Sequence, residues 1–154
     1  MKTLLTIAAL LTASQAQALS CMRPDAATSF DQASASEFPY LVLTGTLTAP
    51  PASGTTESKP VSLLGTLTGR GLTTDGFTAP FDGNVVLKVT CAGPWCGSAP
   101  ASGPILAFAR IDGETPVIEL DACGSWLFPA PDQATLDRLT TCMQNGACSA
   151  QPVQ

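Results

Sequence analysis

Asn84-Val85-Val86-Leu87-Lys88-Val89-Thr90-Cys91 reads as a half-buried β-strand, with Val85, Leu87, Val89 and Cys91 on one face and Val86, Lys88 and Thr90 on the other. Ala92-Gly93-Pro94-Trp95-Cys96 follows as a turn between two cysteines. Leu106, Phe108 and Ile111 then mark a second strand, Asp112-Gly113-Glu114 a turn, and Val117 to Cys123 a returning strand. From Asn84 to Trp126 the chain thus carries sheet core together with three of its six cysteines.

Upstream, Tyr40 to Thr48 is a further strand. Leu41, Leu43 and Leu47 share a face, and Gly45 stands where a fourth inward side chain belongs. A glycine inside a strand marks a bend or bulge of the sort small barrels need at their corners. Ala49 to Pro60 is proline- and hydroxyl-rich and reads as a loop. Val61 to Leu67 resumes strand character around Gly65. Gly69-Arg70-Gly71 and Thr73 to Gly76 break that pattern, Phe77 to Phe81 reads as a short extended piece, and Asp82-Gly83-Asn84 as a turn. Thirteen glycines and thirteen prolines favour short strands and many turns over helices.

The ends differ. Cys21 to Phe38 is polar and irregular between Pro24 and Pro39, with a short helical turn over Asp31 to Glu37 that packs Phe30 and Phe38 inward. Near the C-terminus, Asp132 is an N-cap, Leu136, Leu139 and Met143 recur at spacings of three and four, and Gly146 ends the helix.

Residues 1–18 read as an export signal. Lys2 is the positive start, Leu4 to Leu11 form an apolar run too short for a bilayer, and Ala16-Gln17-Ala18 suits a signal peptidase. Cleavage after Ala18 leaves Leu19-Ser20 ahead of Cys21, whereas cleavage after Ser20 makes Cys21 the N-terminus. A lipid on Cys21 is the third option, with Ala18 standing where an aliphatic residue is usual. Residues 19–150 then form one domain, and no later run is apolar and long enough to cross a membrane. Loss of Lys2 leaves six scattered basic residues against twelve acidic ones, which argues against a nucleic-acid partner.

Six cysteines in an exported chain read as disulfides. No Cys-x-x-Cys pair and no histidine is present, which argues against zinc. Cys142–Cys148 is the first choice, because the chain must turn back at Asn145-Gly146 within easy reach. The remaining four favour Cys91–Cys96 with Cys21–Cys123, and the alternative is Cys21–Cys91 with Cys96–Cys123.

Cys21 just past the leader, the strand Tyr40-Leu41-Val42-Leu43-Thr44-Gly45, and the run from Cys91 through Gly103 to Phe108 and on to Cys123 resemble the netrin-like module of the tissue inhibitors of metalloproteinases and their bacterial relatives. The resemblance covers about Cys21 to Trp126 and implies an OB-like barrel with its N-terminal segment stapled to the sheet. It also implies inhibition by the amine and carbonyl of an N-terminal cysteine, a role open to Cys21 only after cleavage at Ser20. The family's Cys-x-Cys start is absent, because Met22-Arg23 follow Cys21.

The expected fold is all-β with one C-terminal helix: a small five-stranded OB-like barrel stabilised by disulfides. Its strands lie near 40–48, 61–68, 84–91, 104–111 and 117–123, and its helix near 133–144. A two-sheet β-sandwich is the alternative, since alternation does not fix closure. Without histidine, a Ser elbow or a phosphate loop, the chain reads as a non-enzyme that needs no cofactor. Glu119 and Asp121 read as a solvated strand face, although such a pair could also serve acid–base chemistry or calcium. Trp95 and Trp126, both beside cysteines on loops, are the candidate binding residues, weighed against packing over disulfides. The functional expectation is a secreted or periplasmic, non-enzymatic binding module, inhibitor-like, with a protein partner. The alternative is a structural or envelope-associated accessory protein lipidated at Cys21.

Overall fold

A computed structural model describes residues 21, 22, 24–50, 52, 53, 60–100 and 102–148. The leader and the two cleavage positions, Ala18 and Ser20, lie outside the described residues. In chain order the elements are α1 (Ala26–Ser34), β1 (Tyr40–Thr48), β2 (Ala52–Ser53), β3 (Val61–Thr73), β4 (Gly76–Val89), β5 (Cys91–Ala92) and β6 (Trp95–Cys96). They continue with β7 (Ser98–Ala99), β8 (Ser102–Arg110), β9 (Val117–Leu120), β10 (Leu127–Pro129) and α2 (Gln133–Asn145). Among these, no helix is long and apolar enough to cross a membrane.

The chain is mostly β with a C-terminal helix, as expected. The ladders run β1-β3-β4-β9-β8 and return from β8 to β1, so five strands form a ring. Only β4 and β9 are parallel within it. This is the OB-like arrangement, not a regular barrel: β8 meets β9 over two residue pairs, and β10 adds a sixth strand to β8. Because β1 and β8 pair along their whole lengths, the sheet is not split into the two layers of a sandwich.

Alternation fills the ring. Leu43, Leu47, Leu67, Val85, Leu87, Val89, Ile105 and Ile118 point inside and are almost wholly buried. Each such side chain contributes about 1.5–3 kcal/mol of burial, which ordering the chain largely offsets. A second cluster lies outside the ring, where Leu106 and Phe108 of β8 meet Ala26, Phe30 and Ala33 of α1 and Leu139 and Cys142 of α2. Hence β8 is covered on both faces from Ile105 to Ala109.

Several local expectations are corrected, and one of them is Gly69-Arg70-Gly71, which does not break the strand but lies inside β3, paired with both β1 and β4. The segment read as irregular with a turn at Asp31 to Glu37 is instead the helix α1, whose alanines let it lie close against β8. Phe30 is buried as expected, but Phe38 is 45% exposed, beyond the helix end and under the Arg110 guanidinium at 4.9 Å. Asp82-Gly83-Asn84 is not a turn. These residues pair with Thr68, Leu67 and Thr66 in one long hairpin that reverses at Thr74-Asp75, and Thr68 Oγ1 donates to Asp82 Oδ1 at 3.1 Å. Cross-strand pairing outweighs local turn preference here. Pro80 is tolerated because that part of β4 has β3 as its neighbour and no ladder on its other side. The last ring strand stops at Leu120, short of Cys123, because Asp121 turns the chain.

Both caps of α2 are as read. Asp132 Oδ1 accepts from the Thr135 amide at 2.8 Å, and hydrogen bonding from the Thr135 side chain first, and from its amide second, holds the Asp132 carboxyl below the ordinary carboxylate range. Gly146 sits at φ 79°, the left-handed conformation that ends the helix. The bonds Cys21–Cys123, Cys91–Cys96 and Cys142–Cys148 are formed, the favoured pairing and not the alternative. The last crosslink also anchors to α1, since the Cys148 amide donates to Asp31 Oδ1 at 2.6 Å.

Candidate functional site

Trp95 stands on a hairpin built for exposure. β4 ends at Val89, and the Thr90 amide then donates to the Leu120 carbonyl at 2.9 Å, fixing the base of the hairpin to the end of β9. Cys91 faces Cys96 and Ala92 faces Trp95 in the β5–β6 ladder. The disulfide therefore joins residues that already stand opposite one another. Gly93, at φ 60°, supplies the left-handed turn, and a Cβ there would lie 3.9 Å from the Trp95 ring. On the return, the Gly97 amide donates to the Thr90 carbonyl at 2.9 Å, closing the loop at its root. Trp95 is left 47% exposed on this short, cross-linked support.

Trp126 has a different setting. Asp121 Oδ1 accepts from the amides of Cys123 and Gly124 at 2.8 and 2.7 Å, shaping the loop that carries the chain from Cys123 to Trp126. The Trp126 ring stacks on Tyr40 with centroids 5.2 Å apart and meets the edge of Phe108 at 6.2 Å. Its carbonyl accepts from the Phe108 amide at 2.9 Å. Trp126 thus packs in the outer core while Trp95 stands outside both cores, and the structure gives them no shared platform.

A polar cluster that the sequence reading missed lies across β4, β9 and β8. Glu119 is paired with Lys88 at 3.4 Å and with Arg110 at 3.3 Å, and Arg110 also reaches Asp112 at 3.3 Å. Arg110 lies over Phe38, and its buried Nε has no hydrogen-bond partner among the described residues. Burial raises the Tyr40 phenol above its usual value, the Glu119 charge adds to the rise, and Arg110 opposes it. Glu119, held between two cations, is an ion-pair junction. The opposite charges of Lys88 and Glu119, on the strands read near 84–91 and 117–123, were the available signal.

Glu119 and Asp121 do not act together: one is in the ion pairs and the other is spent on loop amides. Among the described residues no three histidine, cysteine, aspartate or glutamate side chains gather to hold a metal ion. Compared with protein-family models, curated proteins and solved structures, the chain matches none.

Proposed function

We propose that the chain is a secreted or periplasmic, non-enzymatic binding module whose contact anchor is Trp95. The observation that carries this reading is a half-exposed tryptophan on a hairpin held by a disulfide at Cys91–Cys96. A rigid aromatic loses little freedom on docking and covers a large apolar area, the profile of an interface hot spot. Three disulfides are the chemistry of an oxidising, non-cytoplasmic compartment, which supports export. A five-stranded ring with Cys21 stapled to the sheet, here through Cys123, is what the netrin-like resemblance implies, and that resemblance stays part of the proposal. In the manner of the inhibitors it resembles, the module would act by occupying a partner's surface without turning over a substrate.

The accessory-protein alternative has a lipid at Cys21 as its cheapest sign. A thioether lipid needs the sulfur that is bonded to Cys123, which favours the binding module over a lipid-anchored form.

The reading is tested by offering immobilised oxidised protein to the culture fluid or periplasmic extract of exporting cells, beside the Trp95→Ala variant. A component retained by the native protein and lost from the variant supports it. Equal retention by both, or by neither, contradicts it.

A further inference from the structure

A groove of about 370 Å³ opens where α1, the entry to β1, the outer arm of the β3–β4 hairpin and the end of α2 meet. Phe30, Val42, Leu72 and Met143 line it together with Ser34 and Tyr40, and no charged side chain of the described residues does. Phe30 is 4% exposed and Met143 is 38% exposed, so the groove runs from the outer core to solvent. It is well above a packing void and within the roughly 300–1,000 Å³ of small-molecule sites. At about 30 Å³ per water-sized unit it accepts roughly a dozen non-hydrogen atoms.

Size and charge narrow the occupant. A second copy of the chain or a partner helix needs about 800 Å² of surface on each side, more than a groove of this volume offers. A carboxylate or ammonium would shed its hydration there with no opposite charge to meet. The Met143 thioether, flexible and polarisable at the mouth, suits an adaptable hydrocarbon contact. We propose that this groove binds a neutral, largely hydrocarbon small molecule the size of a medium-chain alcohol, whose one hydroxyl matches the Ser34 and Tyr40 hydroxyl groups among the lining residues. The site is separate from the Trp95 hairpin and does not depend on what that hairpin contacts.

Trp126 is a built-in reporter, because Tyr40 lines the groove and stacks on the Trp126 ring. Trp95→Phe leaves Trp126 as the one tryptophan of the chain, which has two. In that background naphthol, which accepts tryptophan emission, should quench saturably with one site per chain. Decanol should displace it, and decanoate at neutral pH should do so at least tenfold more weakly. Ala79→Phe fills the groove from an exposed rim position without adding a second tryptophan, and Met143→Glu places a charge at its mouth. Each should weaken naphthol binding at least tenfold at temperatures below the variant's own melting transition. Quenching that never saturates, decanoate that competes as well as decanol, or a folded variant that binds as before would overturn the proposal.

Discussion

Gly45 and Gly69 stand directly opposite one another in the β1–β3 ladder, so close that a Cβ built on either would lie 2.6 Å from the other's Cα. Such a Cβ would also strike the neighbouring backbone carbonyl, Thr68 O from Gly45 and Thr44 O from Gly69. The two strands can approach this way only without side chains. Alanine at either position should therefore destabilise by more than about 3 kcal/mol in denaturant unfolding. Gly71→Ala is the internal control. Its Cβ would meet nothing nearer than the Leu43 side chain at 3.6 Å, and the cost should stay within about 1 kcal/mol. Similar losses at all three positions would contradict the close-approach argument.

The crosslinks should differ in weight. Cys21–Cys123 closes a separation of 102 residues and Cys142–Cys148 one of 6. In the chain-entropy model these are worth about 4–5 and about 2 kcal/mol. Urea unfolding of the two double-alanine variants should show the long crosslink costing roughly twice as much as the short one. The reverse order would mean that native-state contacts outweigh loop closure here.

The two tryptophans should separate in stability. Trp126→Ala removes the ring stacked on Tyr40 and edged by Phe108, and should cost about 3 kcal/mol. Trp95→Ala should cost under about 1 kcal/mol, as is usual for a position outside the core. Paired thermal melts decide this, and an equal drop would place Trp95 among the structural residues.

Tyr40 sets an alkaline limit. Its phenol is raised in the folded state by burial first and by Glu119 second, so folding favours the protonated form. The stability this contributes is complete below the unfolded value of 10.0 and is lost as pH rises through the higher folded value. Urea midpoints should fall between about pH 9 and about pH 11, and Tyr40→Phe should flatten the fall. An unchanged slope in the variant would assign the alkaline loss to other groups.

Much of the ring was legible because alternation is a long signal. Leu43 and Leu47 with Gly45 between them, and Val85, Leu87 and Val89, lie where period-two reading put them. Asp132 and Gly146 carried the second helix, since each does at a helix end what its side chain or its lack of one allows. The first helix was hidden because its buried face is Ala26, Ala27 and Ala33 around one Phe30, small residues that carry little hydrophobic contrast. The long hairpin was hidden by glycines, Asp82 and Asn84, which mimic turns until the strand beside them is known. Trp95 and Trp126 looked alike in sequence, each beside a cysteine. Only the tertiary position of Tyr40 and Phe108 separates a packed ring from an exposed one.

The most direct measurement uses Trp126→Phe, which leaves Trp95 as the reporter. Acrylamide quenching of its emission is followed with and without the component that the native protein retains. The account predicts ready quenching of the free protein, with protection and a blue shift once that component binds. Unchanged accessibility of Trp95 in the bound state would contradict it.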